Sequence, residues 1–173
     1  MRAWDGYGSA ATSTTVGSWE LGLLTSEDWK ARWLGAPAEW PGRALYFRGT
    51  FSAEKTIRRA RAYATGLGYY ELRVNGKKLG DHKLHPAWTD YTRRIQYSTY
   101  DITDLLQHGE NVFAAVVGNG WHGNPIFLLQ AEITYEDDST QRIFTDHNIS
   151  TTAALWRVTS GPILSNSVYG GEI

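Results

Sequence analysis

Cysteine is absent from the 173 residues, which excludes disulfides, thiol nucleophiles and thiolate metal ligands together. It leaves the compartment open between cytoplasm and exterior. A preponderance of one charge is missing as well. The formal net charge is −1, and acids and bases are mixed along the chain. Without a basic face or stripe, nucleic acid is not an expected partner. No apolar run approaches the roughly 18 residues of a membrane-spanning helix, so no membrane partner is expected. The opening "MRAWDGYGSA" has no apolar centre of the kind a signal peptide carries. Repeats, low-complexity tracts and charge runs are also missing, and no helix-length segment shows 3.6-residue apolar periodicity.

What is abundant is aromatic: 8 Trp and 10 Tyr. Flat rings suit two purposes, packing in a β-rich core and stacking on the apolar face of a sugar ring. The backbone pattern favours strands throughout. "ALYFRGTF" alternates with Leu45, Phe47 and Phe51 inward. "YYELRVNGKKLGD" alternates Tyr70, Leu72 and Val74 against Glu71 and Arg73, then turns at Asn75-Gly76. That pair is the favoured type I′ hairpin turn, because both central residues need positive φ. Trp19–Leu24 reads as an apolar strand, followed by a short turn around Ser26–Asp28. Ile95, Tyr97 and Thr99 read as one face of another strand. "DITDLL" is a turn capped by Asp101 or Thr103. The nearly continuous apolar run Val112–Val117 predicts a central strand. "FLLQAEITYEDDSTQRIFTD" predicts a hairpin with Asp137-Asp138-Ser139 at its tip, Pro41-Gly42 predicts a turn, and "ALWRVTSGPI" predicts a closing strand. Many short strands between turns predict an all-β antiparallel sandwich, specifically a jelly roll.

Catalytic chemistry finds little support. None of His82, His85, His108, His122 and His147 sits in a nucleophile motif, and "TSGPI" is no G-x-S-x-G. His82 and His85 are three apart in a loop, short of a zinc site. Asp81, Asp90, Asp101 and Asp104 could in principle supply a glycosidase pair, but "DITD" reads as turn and cap chemistry. Sugar binding needs a ring platform beside Asp or Asn groups that bond hydroxyls. "HPAWTDY" offers Trp88 and Asp90; "GNGWHGN" offers Asn119, Trp121, His122 and Asn124. Gly118, Gly120 and Gly123 would admit either a close ligand or a tight turn, and each Trp could be a core plug or a platform. Calcium shared between such oxygens and a sugar is a further option, although no calcium-loop signature is present.

The run "GLGYYELRVNGKKLGDHKLHPAWTDYTRRIQYSTYDITDLLQHGENVFAAVVGNGW" resembles the amino-terminal β-sandwich domain of bacterial-type α-L-rhamnosidases. "WELGLLTSEDWKARWLG" resembles the segment preceding that domain, and "GPILSNSVYGGE" the segment closing it. The resemblance covers residues 19–173. Residues 1–18 resemble the end of a preceding fibronectin-like module, where "VxAWDxxG" is common. It implies a non-catalytic accessory domain of a glycoside hydrolase that helps recognise L-rhamnose-containing glycosides or polysaccharides. The alternative is a structural domain packed on the (α/α)6 catalytic barrel without a ligand of its own. It further implies that catalysis belongs to that barrel, so no catalytic residue is carried over to this chain, which is expected to be inactive by itself. Trp88, Asp90, Asn119 and Trp121 fall at family motif positions, and some relatives are implied to bind rhamnose with calcium. "HGNPIFLLQ" departs from the family pattern by entering its strand almost at once.

Overall fold

The computed structural model describes residues 2–4, 6–12, 17, 19–35, 43–146 and 155–160. Pro41-Gly42, His147 and the closing "GPILSNSVYGGE" segment lie outside those residues. Among the described residues twelve strands run in chain order: β1 (Arg2–Trp4), β2 (Ala10–Thr12), β3 (Leu34–Gly35), β4 (Leu45–Ala53), β5 (Ile57–Leu67), β6 (Tyr69–Val74), β7 (Lys77–Lys78), β8 (Ser98–Asp101), β9 (Gly109–Gly118), β10 (Ile126–Tyr135), β11 (Thr140–Phe144) and β12 (Leu155–Ser160). β1 and β2 pair with each other. The rest form two antiparallel five-stranded sheets, one ordered β12-β4-β9-β6-β7 and the other β11-β10-β5-β8, with β3 added on β10. From β4 to β6, and again from β8 to β10, successive strands alternate between the sheets. This is the crossing pattern expected of a jelly roll.

The core lies between the sheets. Alternation along β4 buries Leu45, Phe47, Phe51 and Ala53, and along β6 buries Tyr70, Leu72 and Val74. β9 is central, flanked by β4 and β6, and contributes the buried Phe113, Ala115 and Val117. The second sheet answers with Phe127, Leu129 and Ile133 from β10 but only Ala60, Ala62 and Ala64 from β5. Rings meet across the gap: Phe47 lies 5.4 Å from Phe127, and Tyr70 lies 5.7 Å from it. At one edge Trp156 of β12 packs over Gly49 and donates its indole N–H to the Phe144 carbonyl at 3.0 Å. That bond joins the two sheets.

The Asn75-Gly76 turn forms with φ values of 48° and 80°. The Asn75 amide also donates to the Leu105 carbonyl and to Asn111 Oδ1, while its own Oδ1 accepts from the Val112 amide. Asn111 is fully buried and bonds the Gln107 amide and the Gln107 and Gly109 carbonyls. The Asp137–Ser139 tip is present. The N-cap of the Thr103–Leu105 turn is Ile102, without a side-chain cap bond; neither Asp101 nor Thr103 is the cap, and Asp101, one residue before it, accepts at Oδ1 from the Thr103 amide and hydroxyl.

Two further expectations are corrected. Trp19–Leu24 is not a strand. It crosses the outer face of the β5-containing sheet, where no free backbone edge offers a ladder, and is held by side chains instead. The second concerns Ile95, Tyr97 and Thr99, for the strand begins only at Ser98. Its inward half-buried residues are Ser98 and Tyr100, opposite Ala64 and Ala62; Thr99 is exposed. Tyr97 packs on the outer face, against Trp29 at 5.3 Å and Tyr63 at 6.1 Å. The alternation is real, but the segment crossing outside supplies the apolar cover.

Replacing Asn111 by Ala removes the partner of the Asn75 side-chain amide, the Gln107 amide and the Gln107 and Gly109 carbonyls and leaves a gap at a fully buried position, and unfolding free energy should fall by about 2–3 kcal/mol. Urea melts would read this as a lower midpoint at unchanged slope.

Candidate functional site

The loop leaving β7 and the loop leaving β9 meet at one end of the sandwich. Their convergence follows from strand pairing: Tyr69, at the start of β6, is in register with Gly118, at the end of β9. Gly68 makes the approach close, since a Cβ there would lie 2.0 Å from the Gly118 carbonyl oxygen. Gly120 has φ of 51°, and a Cβ on it would sit 3.0 Å from the Gly68 Cα. What Gly120 admits is therefore protein backbone, and Gly123 serves a turn at φ of 84°.

The β7 loop is anchored where it passes β6. The Tyr70 amide donates to the His85 carbonyl at 2.7 Å, and the His85 ring bonds the Ser98 hydroxyl. His82 stacks on His85 with centroids 5.0 Å apart. Burial first, then the neighbouring His82, lowers the His85 pKa. Beneath them the Tyr70 hydroxyl bonds Tyr100 and the Ala64 carbonyl, and burial drives its pKa far upward. Tyr70 stays a neutral donor.

On this base the two motifs come together. Trp88 and Trp121 have ring centroids 6.4 Å apart with planes inclined by 47°. They are 64% and 78% exposed, so neither is a core plug. His122 and Tyr91 meet beside them at 6.2 Å. His122 Nδ1 bonds the Asn124 carbonyl at 2.8 Å, and both residues are exposed. Asn119 is half-buried, and its Oδ1 is sealed from solvent without a hydrogen-bond partner among the described residues. Asp90 is exposed, and its carboxylate faces its own turn. Oδ1 accepts from the Thr92 hydroxyl at 2.6 Å and the Thr92 amide at 3.0 Å, and Oδ2 lies 3.6 Å from Arg93. The Thr92 hydroxyl, then the Thr92 amide, hold its pKa below the usual carboxylate range.

Tyr91 and Leu84, the latter 72% exposed, were not singled out by sequence reasoning. Tyr91 had a usable signal, a ring three residues beyond Trp88. The histidines and aspartates make no metal cluster: no group of three or more His, Asp or Glu among the described residues is arranged to hold an ion. Asp101 is occupied by Thr103 and by Arg61 at 2.7 Å.

The model of the α-L-rhamnosidase N-terminal domain matches residues 55–173. An α-L-rhamnosidase of Formosa agariphila is 32% identical over 197 aligned residues, taking in 99% of this chain and 20% of its own length. Among solved structures, α-L-rhamnosidase from Dictyoglumus thermophilum superposes with a TM-score of 0.80 at 34% identity, over 93% of this chain and 20% of that one. Streptomyces avermitilis α-L-rhamnosidase complexed with L-rhamnose gives a TM-score of 0.64 at 37% identity, over 70% and 12% of the two chains. The chain thus spans about a fifth of the length of the first relatives it matches. Its two-sheet sandwich and its sequence agree on one assignment, and the chain belongs to the α-L-rhamnosidase N-terminal domain family.

Proposed function

We propose that this is a non-catalytic domain that helps an α-L-rhamnosidase recognise L-rhamnose-containing glycans through the Trp88–Trp121 corner. The observation that carries the reading is the pair of exposed indoles in contact with each other at one end of the sandwich. Exposed rings in contact leave apolar area in water that a ligand would cover. A co-structure of a relative with L-rhamnose is consistent with this substrate class. A 6-deoxy sugar suits the corner, because its methyl group adds to the apolar face presented to the rings.

The ring spacing constrains the mode of binding. Two indoles sandwiching a pyranose would need roughly 7–8 Å between parallel faces, twice the usual carbon–carbon contact of about 3.5–4.0 Å. At 6.4 Å and 47° the rings instead make one bent surface. One sugar lies on it, reached by the exposed His122 and Asn124 from the β9 loop, while Asn119, at its motif position, holds the root of that loop. Asp90 in this reading is a brace, holding the turn that aims Trp88 and Tyr91.

Calorimetric titration with L-rhamnose should give heat in the millimolar range or tighter, with calcium present or after chelation. Trp88→Ala and Trp121→Ala should each weaken binding about tenfold, equivalent to about 1.4 kcal/mol. Heat in neither condition would remove the reading.

The brace is separately testable by pH. A carboxylate whose folded pKa is depressed stabilises its turn above the unfolded pKa, and that contribution is lost as pH falls through the folded value. The Asp90 carboxyl resonance should therefore titrate below the ordinary range of about 3.9. Thr92→Val should move the midpoint upward, because the hydroxyl donor is gone while the amide remains.

A further inference from the structure

Far from the ring corner in the chain, residues 19–24 cross the outer face of the β5-containing sheet with their polarity inverted. Glu20 turns toward the protein and pairs with Arg59 and Arg61 of β5, at 2.6 Å for Arg61. Its neighbours turn the other way: Trp19 is 82% exposed, Leu21 65% and Leu24 70%. A surface segment of a free-standing domain ordinarily does the reverse.

This exposure is not slack in the backbone. Gly22 lies so close to Tyr97 that a Cβ would meet its hydroxyl at 2.6 Å, and that hydroxyl donates to the Leu23 carbonyl at 2.8 Å. The Leu24 and Thr25 amides donate to the Asp28 carboxylate at 2.9 and 2.8 Å. The fully buried Gln130 clamps the chain on either side of Trp29, accepting from the Lys30 amide and donating to the Asp28 carbonyl. The apolar side chains are presented on a fixed strap. Beside it runs a groove of about 430 Å³, lined by Leu21, Leu24 and Tyr63 together with the charged Lys30, Glu132 and Arg142. Charged pairs ring the strip, Arg142 with Glu132 at 3.0 Å and Arg61 with Asp101 at 2.7 Å. An apolar centre with a charged rim is how interfaces are built.

We propose that the Trp19–Leu21–Leu24 strip docks the larger remainder of an α-L-rhamnosidase polypeptide. The family supplies the length, since this chain corresponds to about a fifth of its relatives. The size of the strip argues against a second copy. Its three side chains offer on the order of 400 Å², whereas a stable complex of separate chains buries roughly 1,200–2,000 Å². A covalently joined partner needs far less, because the tether sets an effective concentration on the order of millimolar. The proposal stands apart from the sugar reading, which uses none of these residues.

Hydroxyl-radical footprinting compares the 173-residue chain with the polypeptide encoded by the complete reading frame of its gene. Oxidation at Trp19, Leu21 and Leu24 should fall several-fold in the longer polypeptide. Leu21→Glu with Leu24→Glu should return Trp19 oxidation there to the level of the short chain, while L-rhamnose binding by the short chain is unchanged. Equal oxidation in the two wild-type proteins overturns the proposal, and so does a reading frame that ends at Ile173. Protection that survives the double substitution overturns it as well. Protection appearing in the short chain as its concentration rises assigns the strip to a second copy instead.

Discussion

Two stacked sheets sit about 10 Å apart, and that spacing must accommodate the rings of Phe47, Phe51, Phe113 and Phe127 together. They fit because β5 offers Ala60, Ala62 and Ala64 to the interior. Large side chains opposite small ones give a dense core without forcing rotamers. The same concession at the backbone level occurs where β5 gives way to β6, at Gly68, which lets the end of β9 close against the start of β6. Everything at that end of the molecule depends on this closure, since it brings the two ring-bearing loops within contact of each other.

The site and the strap divide the surface between them. One is at a sandwich end, built on loops that a stiff scaffold positions, where binding residues are often found. The other lies flat on a sheet face. Both expose apolar side chains, yet the polar company differs. Trp121 is followed in the same loop by the exposed His122 and Asn124, groups that donate and accept in several directions. Around Trp19, Leu21 and Leu24 stand paired guanidinium and carboxylate groups already bonded to each other. The first company is the one on which the proposed sugar reading rests; the second is the one on which the proposed docking rests.

Much of this was legible in the sequence, and the reasons are local. Alternation in β4 and β6, the Asn75-Gly76 turn and the apolar run of β9 each reflect forces acting within a few residues. The proximity of "HPAWTDY" to "GNGWHGN" was legible as well, because both follow strands and loops gather at sheet ends. What escaped depends on distant chain. Trp19–Leu24 has a strand's composition, but strand pairing needs a free edge, and the segment lies over a face. Tyr97 alternates correctly with its neighbours, yet which face of a sheet is dry depends on what crosses it. Here that is Trp29 and the strap. The bonding of the exposed Asp90 carboxylate to its own turn also escaped, since a carboxylate beside a Trp looks the same in sequence whether or not Thr92 occupies it.

The Asn75 turn carries a consequence for how such sequences vary. By backbone preference alone, Asp-Gly or Gly-Gly would serve a type I′ turn equally well. At this position the amide also joins Leu105, Asn111 and Val112. Aspartate has no amide hydrogens to donate, and glycine has no side chain at all. A position that turn grammar treats as interchangeable is thus tied to asparagine by partners some thirty residues away, and drift at the hairpin is coupled to drift at the buried Asn111.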